Sequence, residues 1–210
     1  MDSQDFDTAQ YLVNTFTPLY GGISPMKLQK MMYYLKAWGL VAGTPLVVST
    51  FEKWEYGPVA PNLYNNYQKL GKNPIPITSD HIELKNYDPY AGSLLDFIAE
   101  SYAPFHALTL SKLTHEEAPW IETPHKSVIS DEIIRLFYSK QPFAENFNPF
   151  APHEKPYYPV QSPLSVAFKL DMSTRDKEAL SVYKSFVYYQ ERTRKAHQEV
   201  SEWMKDALLR

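Results

Sequence analysis

The chain has no cysteine in its 210 residues. That excludes a disulfide framework and thiolate chemistry, and it leaves zinc only histidine and carboxylate ligands. Glycine is scarce, at seven residues, and none of them builds a glycine-rich phosphate loop, which argues against a P-loop or dinucleotide-binding protein. No apolar run approaches the length of a membrane span. The acidic opening MDSQDFDTAQ lacks the apolar stretch of a secretory signal, so the expected location is cytoplasmic, away from membranes. Charge of neither sign dominates: 21 Lys and Arg face 24 Asp and Glu, a net charge of −3, so no global basic field draws the chain to nucleic acid or anionic lipid. What the chain does have is aromatic surface, with 16 Tyr, 11 Phe and 4 Trp. Such residues suit either a tyrosine-rich core or a protein contact surface, because they cover apolar area while keeping a polar tip.

The length suits one domain with an appendage or two small domains, and it is enough to bury a core without covalent help. Phe6, Ala9, Val13 and Phe16 recur at helical spacing, which predicts a short amphipathic helix ended by Pro18 and the pair Gly21–Gly22. The clearest helix follows, in ISPMKLQKMMYYLKAWGLVAG. Ser24 is placed as N-cap, Pro25 as first helical residue and Gly43 as terminator, with Leu28, Met31, Met32, Leu35 and Trp38 as the buried stripe. Lys27, Lys30 and Lys36 fall on its polar side, an ordinary solvated face or a contact for phosphate or an acidic partner.

The stretch EKWEYGPVAPNLYNNY, residues 52–67, is the most unusual. VVSTFEKWEY reads as a strand with one wet face, Gly57–Pro58 as a sharp switch from strand to helix, and Pro61 as the start of a helix that Gly71 closes. In this reading Trp54 and Tyr56 pack on the Leu28–Leu35 helix. Residues 73–87 suggest a small hairpin around Thr78–Ser79–Asp80. Asp88–Pro89 caps a further helix carrying Leu94, Leu95, Ile98 and Tyr102 inward. A short helix over LTLSKLTHEEAPW stops at Pro119, and Ser130 opens a last helix in the body. The expected fold is mainly α with a small antiparallel β element, followed by a C-terminal extension ending in a long helix.

The segment MKLQKMMYYLKAWGLVAGTPLVVSTFEKWEYGPVAPNLYNNY resembles the signature of the Panacea, or SocA-like antitoxin, domain of phage-associated proteins. The matching pieces are Lys27-Leu28-Gln29-Lys30, the turn Trp54, Tyr56, Gly57, Pro58 and Val59, then Tyr64. LTHEEAPW, with Thr114, His115 and Trp120, is a further match. The resemblance covers roughly residues 5–140. It implies a bacterial or phage antitoxin that neutralises a cognate protein toxin by direct binding, with one branch of the family instead delivering the toxin to a protease. It implies no catalytic residues and no cofactor. The motif residues themselves read mainly as scaffold.

Three constellations invite other readings. His115 with Glu116 or Glu117 is an acid–base candidate, but no second histidine completes H-E-x-x-H and no nucleophile elbow is present, so a helix end with Thr114 and His115 bonded to local backbone, and Trp120 packed in the core, is the preferred reading. The six histidines are scattered, so no metal site is expected. Helices followed by a small hairpin keep a DNA-binding regulator as the competing class.

Beyond residue 140 the pattern changes. Six prolines in residues 141–163 break all periodicity, and the aromatics among them suggest a connector, residues 141–172, that packs against something. Residues 173–210 carry a four-and-three seam from Ala179 to Ala207 with a polar centre. Tyr183, Phe186, Val200, Trp203 and Met204 are its candidate partner-binding anchors, with the body of the protein, the toxin or a second copy of the chain in a homodimer as the surface they cover.

Overall fold

The computed structural model describes residues 3–78 and 87–147. In order these form α1 (Ser3–Tyr20), α2 (Pro25–Ala42), β1 (Phe51–Trp54), β2 (Gly57–Val59), α3 (Pro61–Tyr67), α4 (Pro89–Tyr102), α5 (Ala107–His115), α6 (Ala118–Glu122), β3 (Val128–Ile129) and α7 (Asp131–Tyr138). Short 3-10 turns cover Gln68–Leu70 and Pro142–Asn146. The three strands make one antiparallel sheet in the order β2-β1-β3, so the fold is mainly helical with a small sheet, as expected. The expected hairpin around residues 79–80 and the long terminal helix with its five anchors lie outside the described residues, as does the connector beyond Phe147.

Helix α2 is the axis. The Ser24 side chain accepts the Lys27 amide, Pro25 occupies the first turn and Gly43 ends the helix in the left-handed region at φ +70°, which are the three signals its sequence carries. α1, α3, α4, α5, α7 and β2 all pack against it. Fifteen of its eighteen residues are buried, so it has no wet face at all. This overturns the solvated polar side expected from Lys27, Lys30 and Lys36. Each ammonium instead finds one acceptor: Lys27 donates to Ala103 O at 2.6 Å, Lys30 to Pro58 O at 2.7 Å, and Lys36 pairs with Asp131 at 3.0 Å. Two of these lie where helix dipoles favour them. Ala103 caps the C-terminus of α4, and Asp131 sits in the first turn of α7.

Other expectations need smaller corrections. α1 runs through Pro18 to Tyr20, because so close to a C-terminus proline removes one hydrogen bond without breaking the turns before it. Phe6 is exposed, while Ala9, Val13 and Phe16 are buried. Its neighbour Asp5 is buried instead, and its carboxylate accepts the amides of Val48 and Ser49 at 2.9 and 2.7 Å, pinning the segment after α2 onto α1. Pro119 does not stop a helix. It lies in the first turn of α6, where its missing N–H costs nothing. The expected caps Asp88 and Ser130 hold α4 and α7 through the Ala91 and Glu132 amides.

The core around the second half of α2 is aromatic. Trp38 meets Tyr138 and Phe143 edge-on at 4.8 and 4.7 Å, and Phe147 lies 5.4 Å away. The first aromatics after residue 140 therefore belong to the body. Tyr34 stacks on Tyr102 at 3.9 Å, and the Tyr102 hydroxyl accepts the Trp38 indole N–H at 2.7 Å. Into this cluster the N-cap residue of α6, Glu117, sends one carboxylate, which accepts the hydroxyls of Tyr138 at 2.6 Å and Tyr34 at 3.1 Å. No cation lies within ion-pair distance of it among the described residues. Burial raises its pKa to about 7, against the opposing effect of the two tyrosine hydroxyls.

That shift gives a pH dependence of definite sign. The folded chain holds the Glu117 proton up to about 7, whereas the unfolded chain loses it near 4.5. Stability from this group is complete below 4.5 and is lost as pH rises through about 7. Glu117→Gln is neutral throughout and keeps an acceptor for one tyrosine. Thermal unfolding across this range should show the variant gaining on the wild type as pH rises; a difference that does not change with pH would mean that Glu117 is ionised well below 7.

Candidate functional site

The residues of the quoted motif meet at the β1–β2 hairpin. Trp54 pairs with Gly57, so Glu55 and Tyr56 form a two-residue turn. Gly57–Pro58 is thus not a switch from strand to helix: it opens the return strand β2, and α3 begins only at Pro61. A tight two-residue turn demands unusual backbone angles. Here it is the residue after the turn, Gly57, that takes φ +96°.

What holds the hairpin is a set of side chains that reach its main-chain carbonyls from three helices. Trp120 Nε1 donates to Trp54 O at 3.2 Å, and Ser111 Oγ to Tyr56 O at 2.9 Å. Lys30 Nζ donates to Pro58 O at 2.7 Å. The Gln29 amide makes both bonds to Ala60, accepting its N–H at 2.9 Å and donating to its carbonyl at 3.3 Å. His115 lies between two carbonyls, Ser111 O at 2.5 Å from Nδ1 and Glu55 O at 2.8 Å from Nε2. Carbonyls only accept, so the charged ring satisfies both and a neutral ring only one. The His115 ring also lies 4.1 Å from that of Trp120, and Lys53 Nζ sits 4.3 Å above the same indole. A strand edge that would otherwise expose its polar groups is thereby covered by side chains of α2, α5 and α6.

The motif residues divide accordingly. Lys30, Gln29, Gly57, Pro58, His115 and Trp120 take part in the clamp directly. Thr114 is fully buried, donates to Ser111 O at 2.8 Å and packs against Gly57. Leu28 and Val59 are core, and Lys27 is spent on α4. Trp54 donates its indole N–H to Glu52 at 2.9 Å, its ring meets Tyr64 edge-on at 5.0 Å, and it lines a cleft together with the first turns of α2. Tyr56 is more than half exposed, at 59%, since the turn carries it away from the body. Trp120 is half-buried, packed against the core as expected while its indole N–H holds the hairpin at Trp54 O. Sequence reasoning missed Ser111. The signal was present, because Ser111, Thr114 and His115 share one helical face at spacings of three and four.

Beside the clamp lies a cleft of about 380 Å³ between the first turns of α2, the hairpin and α3. Trp54, Tyr56 and Tyr64 supply aromatic walls and Lys30 lines it from α2. Lys30 is 1% exposed, and its burial lowers its pKa to about 7.

The arrangement offers no catalytic pair. Both His115 nitrogens face main-chain carbonyls, and Glu117 turns to the tyrosine cluster instead of to His115. Ser111 and Thr114 hydroxyls donate to carbonyls and not to a base. Among the described residues no group of three histidines or carboxylates is placed to hold a metal ion. No helix among them is long and apolar enough to cross a membrane.

Fold and site together define a mainly helical domain whose β-hairpin is locked by helix side chains. Residues 28–121, from the first turns of α2 to α6, match the family model described as antitoxin SocA-like, Panacea domain. No curated protein and no solved structure matches the chain.

Gly57 is where the clamp is least tolerant. A Cβ there would lie 2.6 Å from Thr114 Oγ1 and 2.8 Å from Lys30 Nζ, on a backbone already at φ +96°. Gly57→Ala should lower stability by roughly 1 kcal/mol or more, read as a drop in the thermal midpoint. An unchanged midpoint would mean that the hairpin relaxes at no cost.

Proposed function

We propose that the chain is an antitoxin that neutralises a cognate protein toxin by binding it directly. The observation that carries this reading is the match of residues 28–121 to the antitoxin SocA-like Panacea domain. It is supported by a site in which both His115 nitrogens face backbone carbonyls and Glu117 turns away to Tyr34 and Tyr138, so the two do not form an acid–base pair. The cognate toxin is the protein to look for beside this chain's gene. Delivery of the toxin to a protease is the second reading. A DNA-binding regulator gains nothing from Lys27, Lys30 and Lys36, which are buried and individually bonded, while the hairpin that suggested it lies outside the described residues.

The test is co-expression with the neighbouring reading frame. That frame should arrest growth alone, be tolerated with this chain present, and co-purify with it; a toxin protein that survives at unchanged level separates blocking from proteolytic delivery. His115→Ala should keep most of the protection, because it removes side-chain bonding to backbone carbonyls, worth about 1 kcal/mol per hydrogen bond, and no chemistry. Loss of protection by a variant that folds and binds normally would restore an enzymatic role.

Recognition of the particular toxin is assigned in part to residues 173–210, with Tyr183, Phe186, Val200, Trp203 and Met204 as anchors. A scaffold shared by antitoxins of chemically varied toxins needs variable surface, and an amphipathic segment outside the matched domain supplies it. Truncation after Asp171 should leave a folded domain with weakened toxin binding. Full affinity in the truncated chain would place recognition in the body, and an unfolded product would make the segment part of the core.

A further inference from the structure

Lys30 is a buried cation that the packing among the described residues leaves incompletely bonded. It is 1% exposed, yet no carboxylate lies within ion-pair distance among the described residues. Its ammonium has three donors, and one bond, to Pro58 O, is formed with protein. A buried cation with a single neutral acceptor is costly, and such groups earn their place when a ligand completes them. Lys30 also lines the 380 Å³ cleft, whose other walls are Met26, Trp54, Tyr56, Val59 and Tyr64.

We propose that this cleft receives a segment of the protein partner in which a carboxylate side chain stands beside an apolar one, the carboxylate meeting Lys30 and the apolar group lying on the aromatic walls. The proposal rests on the toxin-binding reading for the identity of the partner, but not for the chemistry of the site. Two features choose a protein segment over other anions. Among the residues that line the cleft, the rim carries Glu55 and Gln68 and no cation, and the chain's net charge is −3, which disfavours a nucleic-acid backbone. The cleft opens past Glu55, Tyr56 and Gln68, all exposed, so a chain can cross it and leave, whereas a small metabolite site encloses most of its ligand. Glu55 stands on that exposed rim, where water screens it from a carboxylate bound at Lys30.

The experiment uses the full chain, with 3-phenylpropanoate and its neutral amide as probes, titrated while the Trp54 indole N–H signal is followed by NMR and identified by its loss in Trp54→Phe. The acid should bind about tenfold or more tightly than the amide, as a charge-assisted hydrogen bond gives. Lys30→Met should abolish that preference, and Tyr64→Ala should weaken acid and amide alike. Equal binding of acid and amide, no response to the acid, or a preference that survives Lys30→Met would overturn the proposal. So would a stronger response of the same signal to oligothymidylate. If Lys30→Met does not fold, the acid-to-amide ratio of the wild type and the Tyr64→Ala result still decide. The toxin distinguishes the two readings: toxin bound equally by wild type and Tyr64→Ala leaves the antitoxin reading standing and removes this site from it, and an acid preference without any toxin binding does the reverse.

Discussion

Everything in the described fold depends on burying α2 on all sides. A helix with fifteen of eighteen residues covered needs neighbours all around, and five helices and a strand supply them. The apolar and aromatic residues drive that burial, but the three lysines decide its geometry. An ammonium taken out of water must have an acceptor at a fixed place. Lys27 therefore fixes the end of α4, Lys36 the start of α7, and Lys30 the second residue of β2. Removing charge from water is unfavourable in itself, so these contacts serve to specify the neighbours' positions more than to add stability.

The same economy explains the hairpin. It is too short to be stable by strand pairing, with three residue pairs between β1 and β2 and two between β1 and β3. Its carbonyls are instead met one by one by Trp120, His115, Ser111, Lys30 and Gln29. Helix side chains thus perform what further strands would do in a larger sheet. The result is a side-chain-braced projecting turn with an exposed tyrosine at its tip and an aromatic cleft at its flank. Bracing matters for a binding surface, because a preformed contact avoids the entropy of ordering itself when the partner arrives.

Two ionisable groups are held away from their ordinary states by this packing. Glu117 stays protonated up to about 7, and Lys30 loses its charge above about 7. Neither has an opposite charge within ion-pair distance among the described residues. Glu117 has two tyrosine hydroxyls to itself, which makes its cage complete without a ligand. Lys30 has one carbonyl and a cleft beside it, and this asymmetry singles it out.

Signals that act within a few residues were legible in the sequence. Ser24, Pro25 and Gly43 bound α2, Asp88 and Ser130 cap their helices, and Pro61 starts α3, because caps and prolines act on their own backbone whatever surrounds it. The inward stripe of α4 was legible for the same reason, through its spacing. What sequence could not give was set by partners far along the chain. Periodicity marks Lys27, Lys30 and Lys36 as a wet face, yet they are buried because acceptors 28 to 95 positions away come to meet them. The Gly57–Pro58 pair reads in the sequence as a switch from strand to helix, and only the pairing of Trp54 with Gly57 shows it to open a return strand. His115 beside Glu117 resembles an acid–base pair until tertiary packing turns one to the hairpin and the other to Tyr34 and Tyr138. Local backbone chemistry is written in neighbouring residues; whether a polar side chain meets water, a carbonyl or a carboxylate depends on which distant segment folds against it.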